Sequence, residues 1–164
     1  MKRDLVTVLL ALLLPALWAC GDDGEELPDD VPVAEDPSEL EYAPELGVDF
    51  GELERSETGL YLHDLEVGEG PEAEEGQILM VHYTGSLPDG SVFDSSRERE
   101  QPFPFPLGAG IVIPGWDEGL VGMRPGGRRL LVIPPHLGYG PEGSDDVIPP
   151  NATLVFDVEL LDIH

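Results

Sequence analysis

From Gly59 to the end of the chain the pattern of apolar and polar positions is that of a globular domain. Leu60, Leu62 and Leu65 alternate loosely with polar residues and predict a first strand. Gly68-Glu69-Gly70-Pro71 is turn chemistry. Gln77 to Leu87 holds the run Ile78-Leu79-Met80-Val81-His82-Tyr83-Thr84 and predicts a long strand. Pro88-Asp89-Gly90 predicts a turn, with proline early and glycine free to take a positive φ. Val92-Phe93-Asp94 resumes an extended run, and Arg97 to Gln101 reads as a charged loop. In Phe103-Pro104-Phe105-Pro106-Leu107 the prolines remove ladder donors, which places the segment at an edge or bulge. Arg128 to Ile133 predicts another strand. The last spans Ala152 to Ile163, where Leu154, Phe156, Val158 and Leu160 alternate with Val155, Asp157, Glu159 and Leu161.

One short helix is predicted at Pro114-Gly115-Trp116-Asp117-Glu118-Gly119-Leu120. Proline suits a first helical turn and the acidic pair suits the positive N-terminal end. Its glycines give it poor propensity, so packing must hold it. About five strands and one helix in a single domain, with no internal repeat, argue for an α+β arrangement: an antiparallel sheet with the helix packed on one face.

The region before Gly59 differs sharply. Residues 21–58 carry fifteen Asp or Glu against one basic residue, Arg55, and are interrupted by Pro28, Pro32, Pro37 and Pro44. Sparse apolar residues cannot offset the ordering entropy of such a stretch, which predicts a disordered acidic tether with ends roughly 35 Å apart. Tyr42 to Phe50 has enough apolar content to dock locally. The functional interpretation is a spacer; the bland one is a solubilising tail.

The first nineteen residues predict a signal peptide. Lys2 and Arg3 form a basic start, and Leu5 to Trp18 is mostly apolar but short for a membrane span of about 20 residues. Leu17-Trp18-Ala19-Cys20 resembles a bacterial lipobox, the signal for cleavage and lipidation at Cys20. The alternatives are an ordinary signal peptide with an incidental cysteine, or an uncleaved anchor. The lipobox resemblance predicts an exported, membrane-anchored lipoprotein of a bacterial envelope, on its periplasmic side or at the cell surface. Cys20 is the single cysteine, so no internal disulfide can form and the fold rests on its core.

The formal net charge of -26 repels phosphate backbones and anionic headgroups. A nucleic-acid partner is excluded, membrane attachment must be covalent or inserted rather than electrostatic, with lipid on Cys20 the expected form, and self-association is disfavoured, which predicts a monomer. His63, His82, His136 and His164 lack metal-ligand spacing, and Asp22-Asp23 and Asp145-Asp146 lack the spacing of a calcium loop, so no metal or other cofactor is expected.

Six strings in order carry a family resemblance. They are Val81-His82-Tyr83-Thr84-Gly85; Gly90-Ser91-Val92-Phe93-Asp94-Ser95-Ser96-Arg97; Pro102-Phe103 with Phe105; Val112-Ile113 with Gly115-Trp116; Gly138-Tyr139-Gly140; and Ile148-Pro149-Pro150-Asn151-Ala152-Thr153-Leu154-Val155-Phe156-Asp157-Val158-Glu159-Leu160. Together they resemble the FKBP family of peptidyl-prolyl cis/trans isomerases, from Gly59 to the C-terminus. The resemblance implies a five-stranded antiparallel sheet wrapped around the short helix, with an apolar pocket between them. It implies that Tyr83, Asp94, Trp116, Tyr139 and Phe156 carry the reaction and that Phe93, Phe103, Val112 and Ile113 bind substrate. Trp116 would be the floor, and Tyr83, Phe93 and Phe156 walls. The Ile113 N–H and the Tyr139 hydroxyl would donate to the bound chain, and Asp94 would accept within the pocket. Proline-containing polypeptides and macrolides of the FK506 and rapamycin type are the implied ligands.

Without the resemblance, Val112, Ile113 and Phe156 would be core in any fold, Trp116 plain packing and Asp94 a turn cap. Tyr139, between two glycines, is the one such residue whose setting by itself suggests binding. Leu137, Ser144 and Pro114 depart from better-known members and bear on substrate and macrolide preference. A membrane-tethered proline-binding or chaperone module without turnover is the alternative that the same pocket would serve.

Overall fold

The computed structural model describes residues 36–144 and 147–164. Cys20, the predicted signal peptide at 1–19, residues 20–35 of the predicted tether and the loop-tip pair Asp145-Asp146 lie outside the described residues.

The described residues form a seven-stranded antiparallel sheet and one short α-helix. The strands are β1 (Glu54–Arg55), β2 (Tyr61–Glu66), β3 (Ile78–Ser86), β4 (Val92–Ser95), β5 (Phe103–Pro106), β6 (Arg128–Ile133) and β7 (Leu154–Ile163); the helix α1 spans Pro114–Gly119. Their order is β1-β2-β6-β7-β3-β4, with β5 also paired to β3. The expected five strands become seven for two reasons. A two-residue strand ahead of Gly59 adds to the β2 edge, pairing Glu54 with Leu62. The β4 and β5 segments pair with opposite ends of β3, Ser95 opposite Thr84 and Phe103 opposite Val81, with residues 96–102 looping out between them. Pro104 and Pro106 lie in β5, where only β3 is hydrogen-bonded to the strand.

Alternation sorts the strands onto two faces. Leu79, Val81 and Tyr83 of β3, Leu131 and Ile133 of β6, and Leu154, Phe156, Val158 and Leu160 of β7 are buried with Trp116 and Leu120 in the main core. Helix α1 lies unusually close to the sheet. A Cβ at Gly115 would stand 2.6 Å from Ile133 Cγ2, and one at Gly119 2.9 Å from a Leu131 methyl. The glycines that weaken the helix are those that let it approach β6. Its C-terminal end is held by the buried Arg129, whose Nη1 donates to the carbonyls of Gly119 at 2.8 Å and Val121 at 3.1 Å while Nε donates to Asp64 at 2.6 Å.

The opposite face of the sheet overturns part of the tether expectation. Residues 36–53 form an arm with two 3₁₀ turns, Pro37–Glu39 and Pro44–Leu46. Tyr42, Leu46, Val48, Phe50 and Leu53 pack on a second core of Tyr61, Leu130, Val132 and Val155. Phe50 meets Tyr61 edge-on with centroids 5.0 Å apart and Tyr42 at 5.5 Å. Asp36 accepts from the Tyr61 hydroxyl at 2.8 Å and pairs with Arg55 at 3.4 Å. The composition of residues 21–58 is acidic on average, but the apolar minority is concentrated where the sheet has an apolar strip to cover. Local docking at Tyr42 to Phe50 was anticipated; its extent, from Asp36 through β1, was not. Phe50→Ala should therefore lower stability by about 2 kcal/mol, read as a shift in the urea midpoint by far-ultraviolet circular dichroism.

Candidate functional site

Between the inner face of the sheet and α1 opens a cavity of about 400 Å³, lined by Tyr83, Phe93, Phe103, Ile111, Val112, Ile113, Trp116, Tyr139 and Phe156. Its side chains arrive from four strands, the helix and two loops. Tyr83 comes from β3, Phe93 from β4, Phe103 from β5, Trp116 from α1 and Phe156 from β7. Val112 and Ile113 end the loop into the helix, and Tyr139 sits in the β6–β7 connection between two 3₁₀ turns.

The floor is an aromatic cluster. Trp116 is 4% exposed and meets Tyr83 and Phe156 edge-on, with centroids 5.0 and 5.3 Å away. Phe93 stands edge-on to Phe156 at 5.4 Å. That contact requires Gly85, where a Cβ would lie 2.6 Å from the Phe93 ring and 2.7 Å from the Phe156 ring. The buried Trp116 Nε1 has no hydrogen-bond partner among the described residues. The indole packs against the rings of Tyr83, Phe103, Phe105 and Phe156.

Polar groups form one side of the mouth. The Tyr83 hydroxyl donates to Asp94, and Arg99 pairs with Asp94 and donates to the Tyr83 oxygen at 3.1 Å. The Arg99 guanidinium also lies 6.0 Å from the Tyr83 ring centre. Burial pushes the Tyr83 hydroxyl up, and its bond to Asp94 adds to the shift. Burial acts to raise the Asp94 carboxyl, but the Tyr83 hydroxyl and the Arg99 guanidinium outweigh it and hold the group below the usual carboxylate range. Burial, with the Asp94 charge, raises Tyr139 as well. At neutral pH the mouth therefore presents an ionised carboxylate and two protonated phenols. The backbone beneath Tyr83 is fixed by the fully buried Ser96, whose Oγ accepts the Tyr83 N–H at 2.8 Å and lies 3.0 Å from His82 Nδ1.

The loop before the helix is fixed in turn by Asp117, whose two carboxylate oxygens accept the N–H groups of Gly108 at 2.8 Å and Gly110 at 2.9 Å. The Ile113 carbonyl accepts from Trp116 N–H at 2.9 Å, while the Ile113 N–H donates to no group among the described residues.

Every residue expected at the pocket except Asp94 lines the cavity directly, and Asp94 joins through Tyr83. Two members were not anticipated. Ile111 is 69% exposed at the rim, and an exposed isoleucine in a loop carries no periodic signal. Arg99 lies five residues after Asp94 in a charged loop, where nothing in the sequence says which carboxylate it meets. No group of three His, Cys, Asp or Glu among the described residues could hold a metal ion.

Comparison with known proteins agrees with this geometry. The family model for FKBP-type peptidyl-prolyl cis-trans isomerase matches residues 70–161. The FK506-binding protein of Neisseria meningitidis serogroup B is 54% identical over 106 residues, 65% of this chain and 97% of its own length. The peptidyl-prolyl cis-trans isomerase FKBP2 of Homo sapiens is 58% identical over 90 residues, 55% of this chain and 63% of its own. The crystal structure of AtFKBP13 superposes with a TM-score of 0.65 at 44% identity, covering 69% of this chain and 99% of that one. FkpA from Escherichia coli gives a TM-score of 0.65 at 44% identity, covering 73% of this chain and 55% of that one. With its aromatic cavity closed by a helix that only glycine lets so near the sheet, and with its matched span running from Gly70 into β7, this chain belongs to the FKBP-type peptidyl-prolyl cis-trans isomerase family.

Proposed function

We propose that this isomerase is exported, anchored by lipid on Cys20, and acts on X–Pro bonds of exported or envelope proteins, with the reaction carried by the aromatic cavity over Trp116. The observation that supports the chemical part is the cavity itself: five aromatic side chains, Tyr83, Phe93, Phe103, Trp116 and Phe156, from five elements around one apolar space.

Rotation about an X–Pro bond meets a barrier of about 20 kcal/mol and takes tens of seconds unaided. No bond is made or broken, so no nucleophile or metal is needed. Amide resonance is strongest where water solvates its dipolar form. Moving the amide into an aromatic space disfavours that planar dipolar state relative to the twisted one. In this mechanism the Ile113 N–H, free among the described residues, and the protonated Tyr139 hydroxyl bind flanking carbonyls and hold the twisted geometry. Asp94 fixes the Tyr83 wall by accepting the Tyr83 hydroxyl. Each 1.4 kcal/mol removed from the barrier gives about tenfold in rate.

In a proline isomerisation assay on a Leu-Pro or Phe-Pro peptide, the chain should accelerate the cis-to-trans phase. Asp94→Leu and Trp116→Leu should each lower kcat/KM on the order of tenfold or more with the circular dichroism spectrum retained. A well-folded wild-type chain without acceleration would move the assignment to a tethered proline-binding module.

The pH profile follows from the directions above. Asp94 is held below its ordinary value, so it stays charged until strong acid; Tyr83 and Tyr139 are held above theirs, so they stay protonated into alkali. The profile of kcat/KM should be flat from about pH 5 to 9 and fall on the acid side only below about pH 4. A midpoint near neutrality would point instead to a histidine.

For the anchor, fatty-acid labelling of the chain expressed in a Gram-negative host should mark the wild type and not Cys20→Ser, which should also leave the membrane fraction. Equal labelling of both would refute lipidation at Cys20.

A further inference from the structure

Beyond the pocket, on the other side of the loop from Gly108 to Ile113, lies an open trough of about 650 Å³. It is lined by Glu75, Gly108, Gly110, Val112, Pro114, Asp117, Glu118 and Val121. Val112 lines both the trough and the aromatic cavity, so the two are joined over one side chain. The floor is apolar and solvent-facing, with Val121 42% exposed and Pro114 exposed beside it.

The charge of the trough is one-sided. Asp117 accepts the two backbone N–H groups that hold the loop. Glu118 accepts from the Thr58 hydroxyl at 2.7 Å, and Glu75 packs along Gly108. None of the three has a cationic partner among the described residues. The cations there are six arginines, and each is committed elsewhere: Arg55 to Asp36, Arg97 to Asp157 and Glu159, Arg99 to Asp94, Arg124 to Glu72, Arg128 to Asp157 and Arg129 to Asp64.

A polypeptide with a proline in the cavity must leave across the rim, and an extended chain advances about 3.3 Å per residue. We propose that the trough is an extended subsite of the isomerase that takes the flank of the substrate, and that it selects polypeptide with Lys or Arg within about two to four residues of the isomerised proline. The alkyl stem of Lys or Arg covers Val112, Pro114 and Val121 while the charged head meets Glu75 and Glu118. The selectivity comes from carboxylates that the fold leaves without a counter-ion, next to the rim that cavity and trough share over Val112. This assignment rests on the isomerase activity proposed above, and it adds the substrate class.

The test compares two peptides with one Leu-Pro bond, one flanked by lysines and one by glutamines, in a protease-free assay with the full chain in neutral detergent. At low ionic strength kcat/KM should favour the lysine peptide about fivefold. The ratio should fall toward one at 1 M salt, where the screening length is about 3 Å, and also in Glu75→Gln/Glu118→Gln. That double variant should leave the glutamine peptide within twofold of wild type. Glu39→Gln/Glu41→Gln removes the same charge from the arm on the far face and should keep the ratio. An equal fall in the arm variant, or an unchanged ratio in the trough variant, would overturn the subsite and assign the preference to overall charge. Equal turnover of both peptides by the wild type would overturn the subsite and leave the isomerase standing. Turnover of neither would overturn both.

Discussion

The contact on which the rest depends is the close seating of α1 against β6. Gly115 and Gly119 remove the two Cβ atoms that would strike Ile133 and Leu131. Only at that separation does Trp116 reach the rings of Tyr83 and Phe156 and form a floor rather than a plug. A six-residue helix with two glycines would not persist in water. Its C-terminal carbonyls bond to the buried Arg129, and its start is braced by the loop that Asp117 fastens. The pocket is therefore made by sheet and helix jointly, and a change at β6 would be felt at the substrate as a displacement of Trp116.

Much of this was legible in the sequence, and the reasons differ by element. The inner faces of β3 and β7 follow from alternation, because one side of each strand is apolar from end to end. The glycines of α1 read as a helix that packing must rescue, and the structure supplies that packing. The pocket residues were legible through spaced motifs; periodicity alone would have placed Val112, Ile113, Phe156 and Trp116 in an ordinary core. What failed was averaging. Fifteen acidic residues across 21–58 hid the alternation of Leu46, Val48 and Phe50, which was the available sign of a docked segment. The pairing of Arg99 with Asp94 and the split of β4 from β5 depend on where a seven-residue loop folds back, and no local pattern encodes that.

The electrostatic design is economical in cations. The described body holds six arginines and no lysine, within a chain of net charge -26. Arg129 joins helix to sheet, Arg99 orders the mouth, and Arg97 and Arg128 meet Asp157 on the outer face. Arginine suits these places because its fork bonds two acceptors at once and cannot lose its proton.

The docked arm also has a mechanical meaning. Its outermost described residue, Asp36, is tied to the Tyr61 hydroxyl and to Arg55, and the next contacts are side chains laid across the sheet one after another. A load drawn from that end would meet these attachments in sequence and peel them like tape. The ladders of β3, β6 and β7 would not be sheared together. Tension would first be absorbed by a strip on the face opposite the aromatic cavity.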